Sequence, residues 1–471
     1  MAESKSATKW RCTICGYVAE GEYPPDKCPI CSASSDKFEA VGSPPVKEEK
    51  KTEEPSVFEA HAELVDYLSP WSRSEYEKEE KFTTIQKLAI TGKSEISPMG
   101  TRRPFPGLEM ILFKGVQFSR FPLNENEAVS TKTVIGPSAK YPLELDIPFY
   151  VSHMSFGALS KEAKIALAMG ASKVGTATCS GEGGMLPEER EHSSRYIYEI
   201  GTAAFSRNEE YIKQADAVEI KFGQAAKPGM GGHLPGEKVT PEIAKVRNIE
   251  AGEDFISPNR QDDINSPEDL KKMIADLRSL TKGRPIGVKF AAGHVEEDLK
   301  FVLAAEPDFI TIDCRGGATG AAPNFIRDNV CLPAVYAIRK ARSYLDSVGS
   351  KVTFCVTGGF RDSTDIAKAL ALGADAVALA SASLVAIGCQ QYRICNTGLC
   401  PVGITTQDKE LRSRFSIPHS VKRFVNFYDA TRMELEVLSR INGRSNVHDL
   451  AMDDIFTISN EIAANTDIEY A

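Results

Sequence analysis

Residues 286–313 read IGVKFAAGHVEEDLKFVLAAEPDFITID. An apolar run of strand length ends in a Gly-containing loop, a helical pattern follows, and a second apolar run closes the unit. That order is the signature of a strand–helix–strand crossover in a parallel sheet. The rhythm continues in both directions, with runs near residues 149 (FYVSHMSF), 174 (VGTATCS), 202 (TAAFS), 217 (AVEIKF), 286, 309, 352 (VTFCVTG) and 376 (AVALAS). Eight consecutive units fit a closed (β/α)8 barrel, although the same runs also suit an open doubly wound sheet. The barrel is the expectation here, because the unusual residues lie at the C-terminal ends of the runs, where barrel enzymes carry their sites.

Around this α/β core the 471 residues divide further. Residues 1–42 hold four cysteines and too little chain for an independent core, so a metal staple is expected. Residues 43–57, SPPVKEEKKTEEPSV, are Pro-rich, charged and almost free of apolar side chains, which reads as a flexible linker. A helical extension is expected over 58–140, the barrel with a cysteine-bearing loop over 141–410, and a helical segment over 411–471.

Composition excludes several classes of function. No uncharged apolar run approaches the roughly 18 residues needed to cross a bilayer, so no membrane partner is expected. A formal charge of -9, from 56 basic against 65 acidic residues, disfavours a nucleic-acid partner. The first ten residues, MAESKSATKW, lack a signal-peptide core, and the cytoplasm is the expected compartment.

In such a compartment the eleven cysteines need an account other than disulfides, and seven of them fall into two clusters. Cys12, Cys15, Cys28 and Cys31 form two C-x2-C knuckles that can close a tetrahedral thiolate site around iron or zinc. Cys389, Cys395 and Cys400, with Pro401 behind them, are too few for a four-thiolate cage. Three protein thiolates suit a 3Fe-4S cluster; three unrelated buried thiols are the plainer alternative.

The first cluster's surroundings, WRCTICGYVAEGEYPPDKCPICSASSDKFE (10–39), resemble rubredoxin, which carries one iron on four cysteines. The segments HMSFGALS (153–160), CSGEGG (179–184), IKFGQAAKPGMGGHLPGEKVTPEIAKVR (220–247), RGGATGAAP (315–323) and GCQQYRICNTGLCPVGITTQ (388–407) resemble the FMN-binding synthase domain of glutamate synthase. The resemblance spans roughly residues 90 to 410, in order. It implies a barrel that holds FMN beside a 3Fe-4S cluster, where 2-oxoglutarate and ammonia form an imine that is reduced to L-glutamate.

Specific residues follow. Flavin phosphate needs backbone N–H donors in the turns after the last two strands, where Gly358, Gly359, Ala380 and Ser381 stand. Ser155 and Gly157 allow close approach to the flavin ring, and Lys289 offers a cation to the reduced ring. Met154, Gln224, Gly316 and Gly317 lie in the matching segments and complete the expected cofactor set. By resemblance, Glu182 meets ammonia or the iminium, Lys221 and Arg247 hold the two carboxylates of 2-oxoglutarate, and Lys227 lies between flavin and cluster. His233 replaces a substrate-binding Gln of the bacterial enzymes, and SPNRQDDI (257–264) replaces the family's SPPPHHDI. Both departures bear on substrate identity, leaving methylamine as an alternative amine and N-methylglutamate as an alternative product. A flavin-containing electron-transfer subunit is the non-catalytic alternative.

The family's N-terminal glutamine-hydrolysing domain and its C-terminal β-helix have no counterpart in these residues. Ammonia is therefore expected from solution or from a separate glutaminase subunit. With no nicotinamide-binding domain in the sequence, electrons are expected from a ferredoxin, a rubredoxin reductase or another subunit. They would pass through the rubredoxin-like iron and the 3Fe-4S cluster to FMN.

Overall fold

The computed structural model describes residues 8–14, 17–29, 33–41, 81–234 and 236–471. The linker 43–57, residues 58–80, Cys15 and Cys31 lie outside the described residues. The described chain forms two compact units, one from the residues up to Ser97 with Ala322–Ile326, the other from Pro98–Ala321 with Arg327–Ala471.

In the first unit, Thr8–Cys12 is the central strand of an antiparallel sheet, flanked by Val18–Gly21 and Phe38–Val41. Cys12 and Cys28 are buried. The Cys12 N–H donates to Tyr17 O at 2.8 Å and the Cys28 N–H to Ala33 O at 2.7 Å. The same unit contains the helix Phe82–Thr91 and a short pairing of Ile96–Ser97 with Ala322–Pro323.

The second unit is built on a parallel barrel. Its strands are β1 (Phe149–Val151), β2 (Thr178–Cys179), β3 (Tyr196–Ile200), β4 (Ala217–Lys221), β5 (Ile286–Ala291), β6 (Phe309–Asp313), β7 (Thr353–Thr357) and β8 (Ala376–Leu379). Hydrogen-bonded ladders run from β2 to β8 in order, and β8 pairs with β1. The ring closes where the Val151 N–H donates to Ala177 O at 3.0 Å and Thr176 Oγ1 to Phe149 O at 2.6 Å. A closed barrel is thus realised rather than an open sheet.

Side chains alternate along each strand, so every second residue enters the barrel. At its N-terminal end Ile197, Ala217 and Phe309 share a buried cluster with Ile135, Leu143 and Leu145. The latter three belong to an antiparallel hairpin, Thr133–Ile135 with Leu143–Leu145, that plugs this end. Gly287 makes room for the inward Phe309 ring of this cluster: a Cβ there would stand 2.3 Å from it. The C-terminal end is left for chemistry.

Two expectations need correction. The third strand is Tyr196–Ile200, whereas TAAFS turns through the 3-10 helix Ala204–Arg207. A glutamate inside YIYEI disguised the strand, and two alanines and a phenylalanine made the turn look apolar. Within 81–140, helix is confined to Phe82–Thr91 and a 3-10 turn at Leu108–Met110; the remainder is short strands and irregular chain. Residues 411–471 do carry the 25-residue helix Ile417–Ile441. It packs on helix Lys161–Lys173, with Phe424 so close that a Cβ on Gly170 would meet its ring at 2.5 Å. This segment also adds a strand, Ile455–Thr457, to Ile111–Phe113.

Candidate active site

Charged residues on the inner face of a barrel have no solvent to retreat to, so they must pair with one another. Here Glu199 on β3 is the register partner of Glu219 on β4, and Lys221 on β4 is that of Lys289 on β5. Two carboxylates and two ammonium groups therefore occupy successive layers at the C-terminal half of the barrel. Lys289 Nζ lies 3.4 Å from Glu199 Oε2, and Lys221 Nζ lies 3.8 Å from Glu199 Oε1. Burial alone would push the Glu199 carboxyl up, but His153, Lys221 and Lys289 outweigh it and hold it down at about 2. Lys289 is raised despite its burial, by Glu199, Glu219 and Asp313.

His153, just past β1, enters the same layer. Its Nδ1 lies 3.4 Å from Glu199 Oε2 and its Nε2 2.9 Å from Glu219 Oε2, so the ring stands between the two carboxylates. Thr311 Oγ1 donates a short hydrogen bond to the other oxygen, Glu219 Oε1.

Above this layer, Glu182 reaches in from the loop after β2. Lys221 Nζ donates to Glu182 Oε2 at 2.8 Å and to Gln224 Oε1 at 2.8 Å, and Gln224 Nε2 donates to Thr319 Oγ1 at 3.2 Å. The Glu182 side chain is 24% exposed, so this pair sits at the mouth rather than in the core. Burial opposes its ionisation, but Lys221 overrides burial and holds the carboxyl low. Gly232 leaves it room, since a Cβ there would meet Glu182 Oε1 at 2.3 Å.

The insertion between β4 and β5 supplies the other cations. Lys227 Nζ donates to Gly231 O at 3.1 Å, and burial pushes this ammonium down. Arg247, ending helix Pro241–Arg247, donates through Nη2 to Phe156 O at 2.8 Å and to Ser155 Oγ at 3.4 Å. Burial lowers this guanidinium to about 10. Gly157, at φ 104, is required beneath it: a Cβ would stand 3.2 Å from Arg247 Nη2. His233 lies on the two-residue strand His233–Leu234, paired with Phe255–Ile256; its side chain lies outside the described structure.

The glycine turns meet one another. A Cβ on Gly316 would lie 2.6 Å from Gly359 Cα, one on Gly358 2.3 Å from Cys314 O, and one on Gly317 2.6 Å from Asp313 Oδ1. Gly358 and Gly359 adopt φ 102 and 109, so glycine is needed for both conformation and space. The N–H groups of Gly359 and of Ser381, which follows Ala380 into helix Ser381–Ala386, find no acceptor among the described residues. Two free backbone donors after the last two strands fit a phosphate. Buried Arg247 Nε and Asp313 Oδ1 are likewise without a partner and fit a polar ligand at the mouth.

Cys389, Cys395 and Cys400 lie in one loop and within each other's electrostatic reach. Burial raises Cys389 and Cys395, and the neighbouring thiols raise them further. Three cysteines gathered in one loop fit an iron–sulfur cluster, which takes them as thiolates.

Several participants escaped the sequence reading. Glu199, Glu219 and Asp313 are lone carboxylates inside apolar runs, a pattern that does signal an inward charge in a parallel barrel. Lys164, 1% exposed, donates to Met154 O at 2.6 Å, Cys179 O at 3.1 Å and Ser180 O at 2.9 Å, and pairs with Glu189 at 2.7 Å. It thereby clamps the ends of β1 and β2, and nothing in a helical KEAKIALAMG stretch announces that role. Gln261 Nε2 ties Gly201 O at 3.0 Å to Lys221 O at 3.1 Å, so the variant 257–264 segment braces β3 and β4.

A family described as "Conserved region in glutamate synthase" matches residues 80–444, and one described as "Rubrerythrin, rubredoxin-like domain" matches 10–39. A "Glutamate synthase large subunit-like protein" of Rhizobium meliloti is 37% identical over 408 residues, 82% of this chain and 92% of its own length. The "Archaeal glutamate synthase [NADPH]" of Archaeoglobus fulgidus is 43% identical over 63% of this chain and 59% of its own length. An "Archaeal-type glutamate synthase [NADPH]" of a Thermotoga species is 36% identical, over 75% of this chain and 74% of its own. Among solved structures, a double mutant of flavocytochrome b2 with pyruvate bound superposes with TM-score 0.50 at 15% identity, covering 86% of this chain and 92% of that one.

Proposed function

The chain belongs to the glutamate synthase family, and from that premise we propose that it reductively aminates 2-oxoglutarate to L-glutamate with reduced FMN. Ammonia adds to the C2 carbonyl, water leaves, and the resulting C=N bond accepts a hydride and a proton. When bound, FMN supplies the hydride, and a 3Fe-4S cluster and a rubredoxin-type iron resupply it with single electrons.

The observation that carries the reading is the Lys221–Glu182 pair at the barrel mouth, backed by Glu199 and flanked by Arg247. Lys221 and Arg247 offer a point charge and a planar fork to the two carboxylates of the substrate. Glu182, held ionised by Lys221, serves as the proton acceptor as ammonia becomes an imine. Lys227, the ammonium that burial depresses, faces Glu182 from the insertion and is suited to yield or take up a proton there. His233 supplies a further donor to a substrate carboxylate.

Gly358, Gly359, Ala380 and Ser381 would hold the flavin phosphate, while Met154, Ser155, Gly157, Gly316 and Gly317 bring backbone close to the ring. Gln224 and Lys289 would face its polar edge. Cys389, Cys395 and Cys400 would hold the cluster, and Cys12, Cys15, Cys28 and Cys31 the single iron. A ferredoxin-like or reductase donor is the natural electron source, and free ammonia or a glutaminase subunit the nitrogen source.

The test is reoxidation of photoreduced enzyme. Ammonium with 2-oxoglutarate restores the oxidised flavin spectrum; methylamine in place of ammonium does so at least tenfold more slowly. Faster reoxidation with methylamine would reassign the amine, and no reoxidation with any 2-oxo acid would reduce the chain to an electron carrier. With a donor protein, Cys12→Ser slows turnover while leaving photoreduced single turnover intact.

A further inference from the structure

Lys238 is a cation that none of the roles above uses. It ends the 3-10 turn Gly236–Lys238, in the same insertion that carries Lys227 and Arg247. Its Nζ donates to Cys395 O at 2.7 Å, inside the cysteine loop. A Cβ on Gly398 would lie 3.0 Å from Lys238 Cε, and Gly398 is held at φ 74. The loop thus carries a glycine where the lysine stem crosses it. The ammonium lies within electrostatic reach of both Cys395 and Cys400.

Arg393, within the loop itself, also lies within electrostatic reach of Cys395, but its hydrogen bonds run elsewhere. Its guanidinium donates to Pro98 O at 3.1 Å and to Gly100 O at 2.8 Å. Among the described residues, Lys238 is the ammonium that is hydrogen-bonded to a cysteine of this loop. An iron–sulfur centre on three thiolates is anionic and gains one more negative charge on reduction, so a fixed neighbouring cation favours the reduced form.

We infer that Lys238 is a positioning and potential-setting residue: through its bond to Cys395 O it holds the cysteine loop to the substrate-side insertion, and through its charge it raises the reduction potential of the centre on Cys389, Cys395 and Cys400. This rests on the reading of those three thiols as cluster ligands. It gives the insertion two functions, substrate binding on one side and adjustment of electron supply on the other.

The test uses the full-length holoprotein purified without oxygen, as wild type, Lys238→Met, Lys238→Gln and Lys238→Arg, in redox titrations followed by the electron-paramagnetic signal of the cluster. In Lys238→Met and Lys238→Gln the equilibrium constant for one-electron reduction falls tenfold or more, a shift of about 59 mV per decade toward harder reduction. Lys238→Arg, which keeps the charge, stays within threefold of wild type. An intact cluster in either uncharged variant with its constant within twofold of wild type would overturn the inference and leave Lys238 a brace. Loss of the cluster from both uncharged variants would also overturn it, in favour of a purely structural role. Absence of a three-iron signal from the wild type would instead remove the reading of the thiols on which it stands.

Discussion

Lys221 and Lys289 are register partners on adjacent strands, yet both are held by one carboxylate, Glu199, at 3.8 and 3.4 Å. Two buried ammonium groups side by side are tolerable only with such an anion between them. Glu199→Gln should therefore destabilise the barrel by about 3–5 kcal/mol, read from chemical denaturation.

The same group sets an acid limit on stability. Its carboxyl is pulled from 4.5 to about 2 on folding, so the stabilisation it lends is complete above pH 4.5 and is lost as the pH falls through about 2. Denaturation midpoints measured across that window should fall in the wild type and flatten in Glu199→Gln. An equally steep fall in the variant would show that other carboxylates control acid unfolding.

Glu182→Gln keeps the size of the side chain and removes the proton acceptor. Single-turnover oxidation of reduced flavin by 2-oxoglutarate and ammonium should slow by about 10²–10⁴-fold, with the flavin spectrum unchanged.

Arg247→Lys retains a positive charge but loses the planar fork now anchored on Phe156 O at 2.8 Å. KM for the 2-oxo acid should rise about tenfold to a hundredfold, as expected for a charged hydrogen bond worth about 1.5–3 kcal/mol, while kcat changes far less. A matching fall in kcat would give Arg247 a part in the chemical step.

Gly287→Ala probes the opposite end of the barrel. Its Cβ would collide with the Phe309 ring at 2.3 Å, so the substitution should cost about 1–3 kcal/mol of stability without altering KM.

What the sequence disclosed follows from how local the signals are. Strand runs, glycine pairs and cysteine spacings are short-range patterns, and they located seven of the eight strands and the turns Gly316–Gly317 and Gly358–Gly359. The strand Tyr196–Ile200 was hidden because Glu199, which lowers its apolar score, is one of the inward charges. Likewise Glu219 and Asp313 interrupt apolar runs, and their meaning depends on a barrel interior that only the closed ring creates. The clamp of Gln261 on β3 and β4 is made through two carbonyls, Gly201 O and Lys221 O, that lie far from it along the chain. No short window of sequence contains that brace. The family roles of Glu182 and Lys221 were assigned separately, whereas the structure joins them in one ion pair.

The most direct test of the account is a single turnover of anaerobic, photoreduced enzyme with nitrogen-labelled ammonium and 2-oxoglutarate, with product analysed by mass spectrometry. The account predicts one labelled L-glutamate for each flavin reoxidised. Flavin reoxidation without labelled glutamate, or a preparation that contains no flavin, would contradict it.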